Sequence, residues 1–509
     1  MRLRLCLLLF ISIPLCGALA QDTTDRVISE GLKPSALDVD LHRLTDEVGG
    51  RVPGTPSMQR AVDWGVGAFK VAGADSVHTE NFTLPVSWAE GATEMSVIAT
   101  RPGDRPEENA NTEAQTSRSA PAARFGVRAV SIAWAPALSA QRHVRVIDVG
   151  QGTAGDFARA GDVAGALLLV HSEEMKKWDD LFAEYLRAPG IIDRAVAGKS
   201  LSIAFQSTRP NDLLYRHTNS NQGELDRLPM VLVAREDAGR MARLLASGQT
   251  LYADLSIPNR VGGPVTAANV VAELRGTEKP DEIVVLGAHL DSWELGTGAL
   301  DNGCNAALVV DVLRAIKASG LPPRRTIRFI LFSGEEEGLV GSRAYTIAHN
   351  SELDNTVAVV VLDAGIGRVT GFSLGGRRDV VDAATTLVAP LKPFDATTLT
   401  TDASWGTDNF DFMLEGVPTF VANQQEYNYL LNYHAMSDTF DKVDLAQLKK
   451  HVAEAAGLTW GLANSSARPG PRLHHAQIEQ TFRETHLDEQ LKTLGMWDRW
   501  ETGRMGRKD

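Results

Sequence analysis

Cysteine is scarce in this chain: three in 509 residues, and two of them, Cys6 and Cys16, lie in an N-terminal apolar stretch. Once that stretch is removed only Cys304 is left, so an intrachain disulfide, an iron–sulfur cluster and a cysteine-rich structural zinc site are all excluded. Basic charge is short as well. Against 64 Asp and Glu there are 51 Lys and Arg, a net charge of −13, which argues against a general nucleic-acid binder. The N-terminal apolar stretch is too short to cross a bilayer, so no membrane span is expected. What is present is ordinary: 43% hydrophobic and 23% charged residues, the composition of a globular protein. The length implies two or more domains.

Arg2 and Arg4 precede the apolar run 5–15, and Ala18-Leu19-Ala20 supplies small residues at a cleavage site. Residues 1–20 therefore read as a signal peptide, and the mature chain as secreted or periplasmic. Leu15 is a poor residue before a lipidated cysteine, which disfavours a lipid on Cys16. Residues 21–123 and 264–467 read as one discontinuous catalytic domain, with helices over 26–75 and a polar loop at 102–122. Between them, residues 124–263 alternate short strands with helices and form an insert, to which substrate access or assembly is assigned. Residues 468–509 read as a polar C-terminal helical extension. There His474 and His475, lacking a carboxylate motif, are expected to be exposed and not metal-binding.

The informative stretch begins at Ile283. An apolar run reads as a strand buried on both faces, and it delivers His289 and then Asp291. Asp301 follows among Gly296, Gly298 and Gly303, and apolar positions at helical spacing predict a helix over 305–318. The strand 326–333 runs into Glu335-Glu336-Glu337, the strand 356–362 ends at Asp363, and His434 stands further on. Buried strands that release His, Glu or Asp at their carboxyl ends are how open α/β sheets build sites. Residues 267–276 are expected to pair with the His289 strand as a hairpin.

His289, Asp301, Glu336, Asp363 and His434 have the identities needed for two zinc ions, since zinc takes imidazole nitrogen and carboxylate oxygen. Two such ions about 3.5–4 Å apart are held by a bridging carboxylate. Asp301, on the glycine-rich loop between two strand-derived ligands, is the choice for it. Glu335 then has a task as general base on the water between the ions, passing the proton to the leaving amine. Asp291 is placed to orient His289, and Asp438 to anchor the His434 loop. Tyr433 is a candidate donor to the scissile oxygen, with packing into the wall as an equal reading. Trp293 and Trp405 are candidates for the pocket wall.

Taken together, His289-Leu290-Asp291-Ser292-Trp293, Gly296 through Asp301, Glu335 through Gly338, Leu362 through Gly365, Gly406 through Phe410 and Tyr433 through Thr439 resemble the secreted co-catalytic di-zinc aminopeptidases. Within that family they are most similar to the plasma glutamate carboxypeptidase branch. The resemblance implies a three-layer α/β/α zinc-exopeptidase domain, phosphorylase/hydrolase-like, around a central mixed sheet. It implies that Glu336 and His434 hold one zinc, His289 and Asp363 the other, with Asp301 shared, and that the peptide after Asp301 is cis. It leaves room for a homodimer. Asn302 departs from the carboxylate that many members carry there. Residues 228–239 are similar to the protease-associated domain found inserted in secreted peptidases.

The function expected is hydrolysis of dipeptides, or of the N-terminal residues of peptides. Two alternatives remain open at this point. One is a glutaminyl cyclase on the same scaffold. The other is a catalytically dead, peptidase-like binding protein, which the retention of all five ligands and Glu335 disfavours.

Overall fold

The computed structural model describes residues 15–102, 123–220 and 222–508. The expected leader lies largely outside them, and a helix, α1 (Leu15–Gly31), runs across Ala20. The loop expected at 102–122 falls almost wholly outside the described residues.

One eight-stranded mixed sheet carries the site. In chain order its strands are β1 (Ser76–Leu84), β2 (Val265–Leu274), β3 (Lys279–His289), β4 (Arg325–Phe332), β5 (Thr356–Val361), β6 (Val369–Ser373), β7 (Thr398–Thr400) and β8 (Thr419–Gln424). Across the sheet the order is β1-β2-β4-β3-β5-β8-β6-β7, and β4, β3, β5 and β8 are mutually parallel. The core strands are apolar on both faces because both faces are covered. Val284, Leu286 and Ala288 pack with α1, α2 (Cys304–Ala318) and α3 (Leu445–Asn464). The alternate residues Ile283 and Val285 pack with Tyr345 and Phe412 on the opposite face.

The expected hairpin does not form. β2 pairs antiparallel with β4, not with β3. The chain after β2 steps across the start of β4, where the amides of Thr277 and Glu278 donate to the carbonyls of Pro323 and Arg324. Gly276 is needed there, since a Cβ would lie 2.5 Å from the Arg325 carbonyl carbon. Four residues are enough to step over one strand, and local pattern cannot reveal that.

A second eight-stranded sheet is built from residues 94–257. It includes Glu94–Thr100, which pairs with Thr250–Ile257. The helix Trp178–Ala197 packs on this sheet through Ile191, Ile192 and Ala195. At the C-terminus, Trp497 and Trp500 pack with Phe410, Met413 and Leu414 of the main body. His474 is exposed, whereas His475 is half-buried and stacks on Trp500 with ring centroids 4.2 Å apart. No helix among the described residues is long and apolar enough to cross a membrane.

Candidate metal centre

All five expected ligands meet at the carboxyl ends of the parallel strands. β3 ends on His289, and β5 is followed by Asp363, whose Oδ1 is 3.0 Å from His289 Nε2. Asp301 lies between two histidines: its Oδ1 is 3.2 Å from His289 Nε2 and its Oδ2 is 3.2 Å from His434 Nε2. Glu336 Oε2 is 2.9 Å from the same His434 nitrogen. Donor atoms of His289, Asp301 and Glu336 all fall within 4.8 Å of one another. Glu335, next in the chain to Glu336, is half-buried and lines the cavity in front of the cluster.

The loop bearing Asp301 is held from two sides. Asp438 accepts the backbone amides of Ala299, Leu300 and Asp301 at 3.1, 2.7 and 3.0 Å. It therefore anchors the Asp301 loop, not the His434 loop as expected. From the other side the fully buried Arg51 donates to the carbonyls of Leu290, Thr297 and Gly298 at 2.6, 2.7 and 2.8 Å. Gly298 has φ 60, and a Cβ there would sit 2.3 Å from Ser292 Oγ, so only glycine fits. The Asp301–Asn302 peptide is cis, as the resemblance implies.

His289 is oriented chiefly by backbone. Its Nδ1 is 3.0 Å from the Asp291 carbonyl oxygen and 3.7 Å from Asp291 Oδ1. The Asp291 carboxylate instead accepts the amide of Glu336 at 3.2 Å. Tyr433 stacks on His434 with centroids 3.6 Å apart, and its hydroxyl pairs with that of Tyr185 at 3.0 Å. Trp405 lines the cavity, whereas Trp293 is buried behind it, edge-on to His434 at 5.9 Å.

The second sheet's module grips the His434 loop. Arg209 donates to the Tyr433 carbonyl at 2.9 Å, and the Arg216 amide to the His434 carbonyl at 2.9 Å. His434 itself has φ 58, a left-handed conformation costing on the order of 1–3 kcal/mol outside glycine. The grip offsets that cost. Sequence reasoning missed Arg51, Arg209, Tyr185 and the fully buried Asp408. Only Asp408 had a visible signal, inside the Gly406–Phe410 motif.

Electrostatically the cluster is unbalanced. Asp291, Asp301, Glu336, Glu337, Asp408 and Asp438 are all buried, with Arg51 beside them. Burial and neighbouring carboxylates push Glu335 and Glu336 well above the ordinary carboxylate range, although His289 pulls the other way. His289 resists the cost of burial because Asp363, Asp291 and Asp301 favour its charged form. Among the described residues, Asp291 Oδ1, Asp301 Oδ2 and Glu336 Oε1 are buried without a hydrogen-bond donor. Buried carboxylates without donors stay charged only beside a cation and otherwise hold a proton, and imidazole and carboxylate together suit a divalent metal. The residues present fit such a group.

Comparison with known proteins agrees with this geometry. Residues 269–459 match peptidase family M28. The matched stretch runs from β2 to α3 and includes every residue of the cluster. Carboxypeptidase Q from Mus musculus is 26% identical over 426 residues, 83% of this chain and 85% of that protein. A Peptidase M28 precursor from Shewanella amazonensis SB2B has the same fold at TM-score 0.78 and 24% identity, covering 90% of this chain and 99% of its own. A zinc aminopeptidase from Bacillus subtilis matches at TM-score 0.62 and 17% identity, covering 86% and 97%. The resemblance read from the motifs is borne out, and the protein is a peptidase.

Proposed function

We propose that the chain is a secreted or periplasmic zinc exopeptidase that hydrolyses dipeptides or removes N-terminal residues from peptides, exported by the leader 1–20. The observation that carries this reading is the position of Asp301, one oxygen toward His289 and the other toward His434, with Asp363 and Glu336 flanking it. Two zinc ions are assigned to these residues: His289 and Asp363 to one, Glu336 and His434 to the other, with Asp301 shared. Zinc at such a site supplies Lewis acidity toward a carbonyl and lowers the pKa of water.

The chain's own residues supply the rest. Glu335 takes a proton from the attacking water on its carboxylate and returns it to the leaving nitrogen. The Asp291 carbonyl accepts from a protonated His289 Nδ1, which leaves the Nε2 lone pair available to a metal ion. Tyr433, whose hydroxyl is paired with Tyr185, donates to the substrate carbonyl oxygen as charge develops there. Residues 124–263 are assigned as an inserted module, similar to protease-associated domains, and a homodimer is part of the same proposal.

A panel of dipeptides and aminoacyl amides, with and without chelator, on protein of counted zinc tests the reading. Release of the N-terminal amino acid that stops on chelation is expected. Release of ammonia from N-terminal glutamine without amino-acid release would replace the reading with a cyclase.

A further inference from the structure

The helix Trp178–Ala197 divides two cavities. Leu181, Phe182 and Tyr185 line the one in front of Asp301. Asp180, Ala183, Glu184 and Arg187 line a second, of about 140 Å³, within the second sheet's module. At about 3.6 residues per turn these two sets fall on opposite faces of the helix. Asn219 lines both cavities. Met175, Ile191 and Phe205 give the second cavity an apolar floor, and Ala183 at its edge is exposed.

The polar groups around this second cavity are incompletely used. Arg187 donates through Nη2 to the His171 carbonyl at 3.0 Å, while its Nε is buried without an acceptor among the described residues. The amide nitrogen and oxygen of Asn219 are likewise buried without partners. Glu184 accepts the Tyr215 hydroxyl on Oε1, but its Oε2 has only long contacts, 3.4 Å to Thr208 Oγ1 and 3.6 Å to Arg209 Nη1. Asp180, by contrast, is already taken by the amides of Lys176 and Lys177. Burial pushes His217 down to about 4, so it stays neutral beside Glu184.

Buried donors and acceptors left unpaired are costly, and a ligand that pairs them recovers that cost. Arg187 Nε and the Asn219 NH₂ group suit a carboxylate. Glu184 Oε2 and the Asn219 oxygen suit an ammonium, and the floor suits a short aliphatic side chain. The volume is close to the about 150 Å³ that holds one benzene and well under the roughly 300–1,000 Å³ of drug-sized sites, so one amino acid fits and a peptide does not. Among the described residues no lysine or arginine lines the cavity in front of Asp301, which lacks this pairing of charges.

We propose that the second cavity binds a free α-amino acid, its carboxylate on Arg187 and Asn219 and its ammonium on Glu184, and that occupancy is felt at His434. The route is short. Glu184 touches Arg209 and Tyr215; Arg209 donates to the Tyr433 carbonyl at 2.9 Å, and Tyr215 bridges to Ala435. An ammonium that takes Glu184 Oε2 draws it from Arg209 and loosens the turn that presents His434, so a bound amino acid lowers kcat. That this ligand is the enzyme's own product rests on the exopeptidase reading above; the binding claim does not.

Calorimetry on zinc-loaded protein with L-leucine tests the site. The parent should show a leucine site that Ala183→Trp, which fills the edge of the cavity, abolishes and that Arg187→Ala weakens by about tenfold or more. Both variants should keep the parent's zinc content and its rate without added leucine. N-acetyl-L-leucine and L-leucinamide, each lacking one charge, should bind the parent and Ala183→Trp alike. In kinetics, saturating leucine should lower kcat of the parent several-fold and leave kcat of Ala183→Trp unchanged, whereas competition at the metal cluster raises KM in both. Identical leucine isotherms for parent and Ala183→Trp overturn the site. A leucinamide site abolished by Ala183→Trp overturns the amino-acid assignment. Leucine bound at the site with kcat unchanged overturns the link to His434. If no peptide is hydrolysed while the parent alone binds leucine, the exopeptidase reading fails and the site stands.

Discussion

Asp438 Oδ2 accepts the amide of Asp301 at 3.0 Å, across 137 residues of sequence. The loop that presents the Asp301 carboxylate is thereby fixed by another buried carboxylate, which burial pushes up to about 7. Asp438→Asn presents an NH₂ group in place of one accepting oxygen. Leaving a buried amide unpaired costs about 1–3 kcal/mol. The expected outcome is a lower melting temperature together with weaker zinc retention during dialysis. Unchanged zinc retention would mean that the loop holds its shape without this anchor.

Glu335→Gln keeps the size of the side chain and removes its proton-carrying ability. Steady-state kinetics should show kcat reduced by about 10²–10⁴, with zinc content and KM near those of the parent. Loss of zinc instead would show that Glu335 and Glu336 have exchanged roles.

Arg209 is buried, lies over the Tyr215 ring at 4.0 Å and donates to the Tyr433 carbonyl. It acts on chemistry only by holding the turn that presents His434. Arg209→Lys keeps the charge but loses the planar fork of donors. A fall in kcat with weaker binding of one zinc of two is the expected signature. Wild-type kcat with a lower melting temperature alone would reduce Arg209 to a structural residue.

On α3, Glu454 is buried, 1% exposed, with both carboxylate oxygens lacking a donor among the described residues. Burial raises it to about 8, against the opposing pull of Lys450 and Arg368. The folded protein therefore keeps this proton after the unfolded chain has released it. Its contribution to stability is full below the unfolded value near 4.5 and is lost as pH rises through about 8. Glu454→Gln should melt like the parent at pH 4 and a few degrees higher at pH 9, a difference of at most about 5 kcal/mol. Identical melting curves at both pH values would contradict this.

Much of the site was legible because its signal is local. A doubly buried strand reads as an apolar run, and the first titratable residue at its end marks the sheet's carboxyl edge, as at His289, Glu335 and Asp363. What was hidden depends on which distant segments meet. Nothing near residue 51 indicates an arginine under the Asp301 loop. Nothing in the stretch around Tyr185 shows that one stripe of its helix faces another module's cavity. The pairing of β2 with β4 was misread for the same reason, since sequence adjacency favours a hairpin and the sheet order overrides it.

The most direct test is a zinc titration of chelated protein, reading dipeptide hydrolysis against zinc bound per chain. Activity should be absent from the metal-free protein and rise to its limit at two zinc ions per chain in the parent, while Asp301→Asn binds both ions weakly and stays inactive. Full hydrolysis by metal-free protein, or saturation below one zinc per chain, would contradict a shared pair of cations at Asp301.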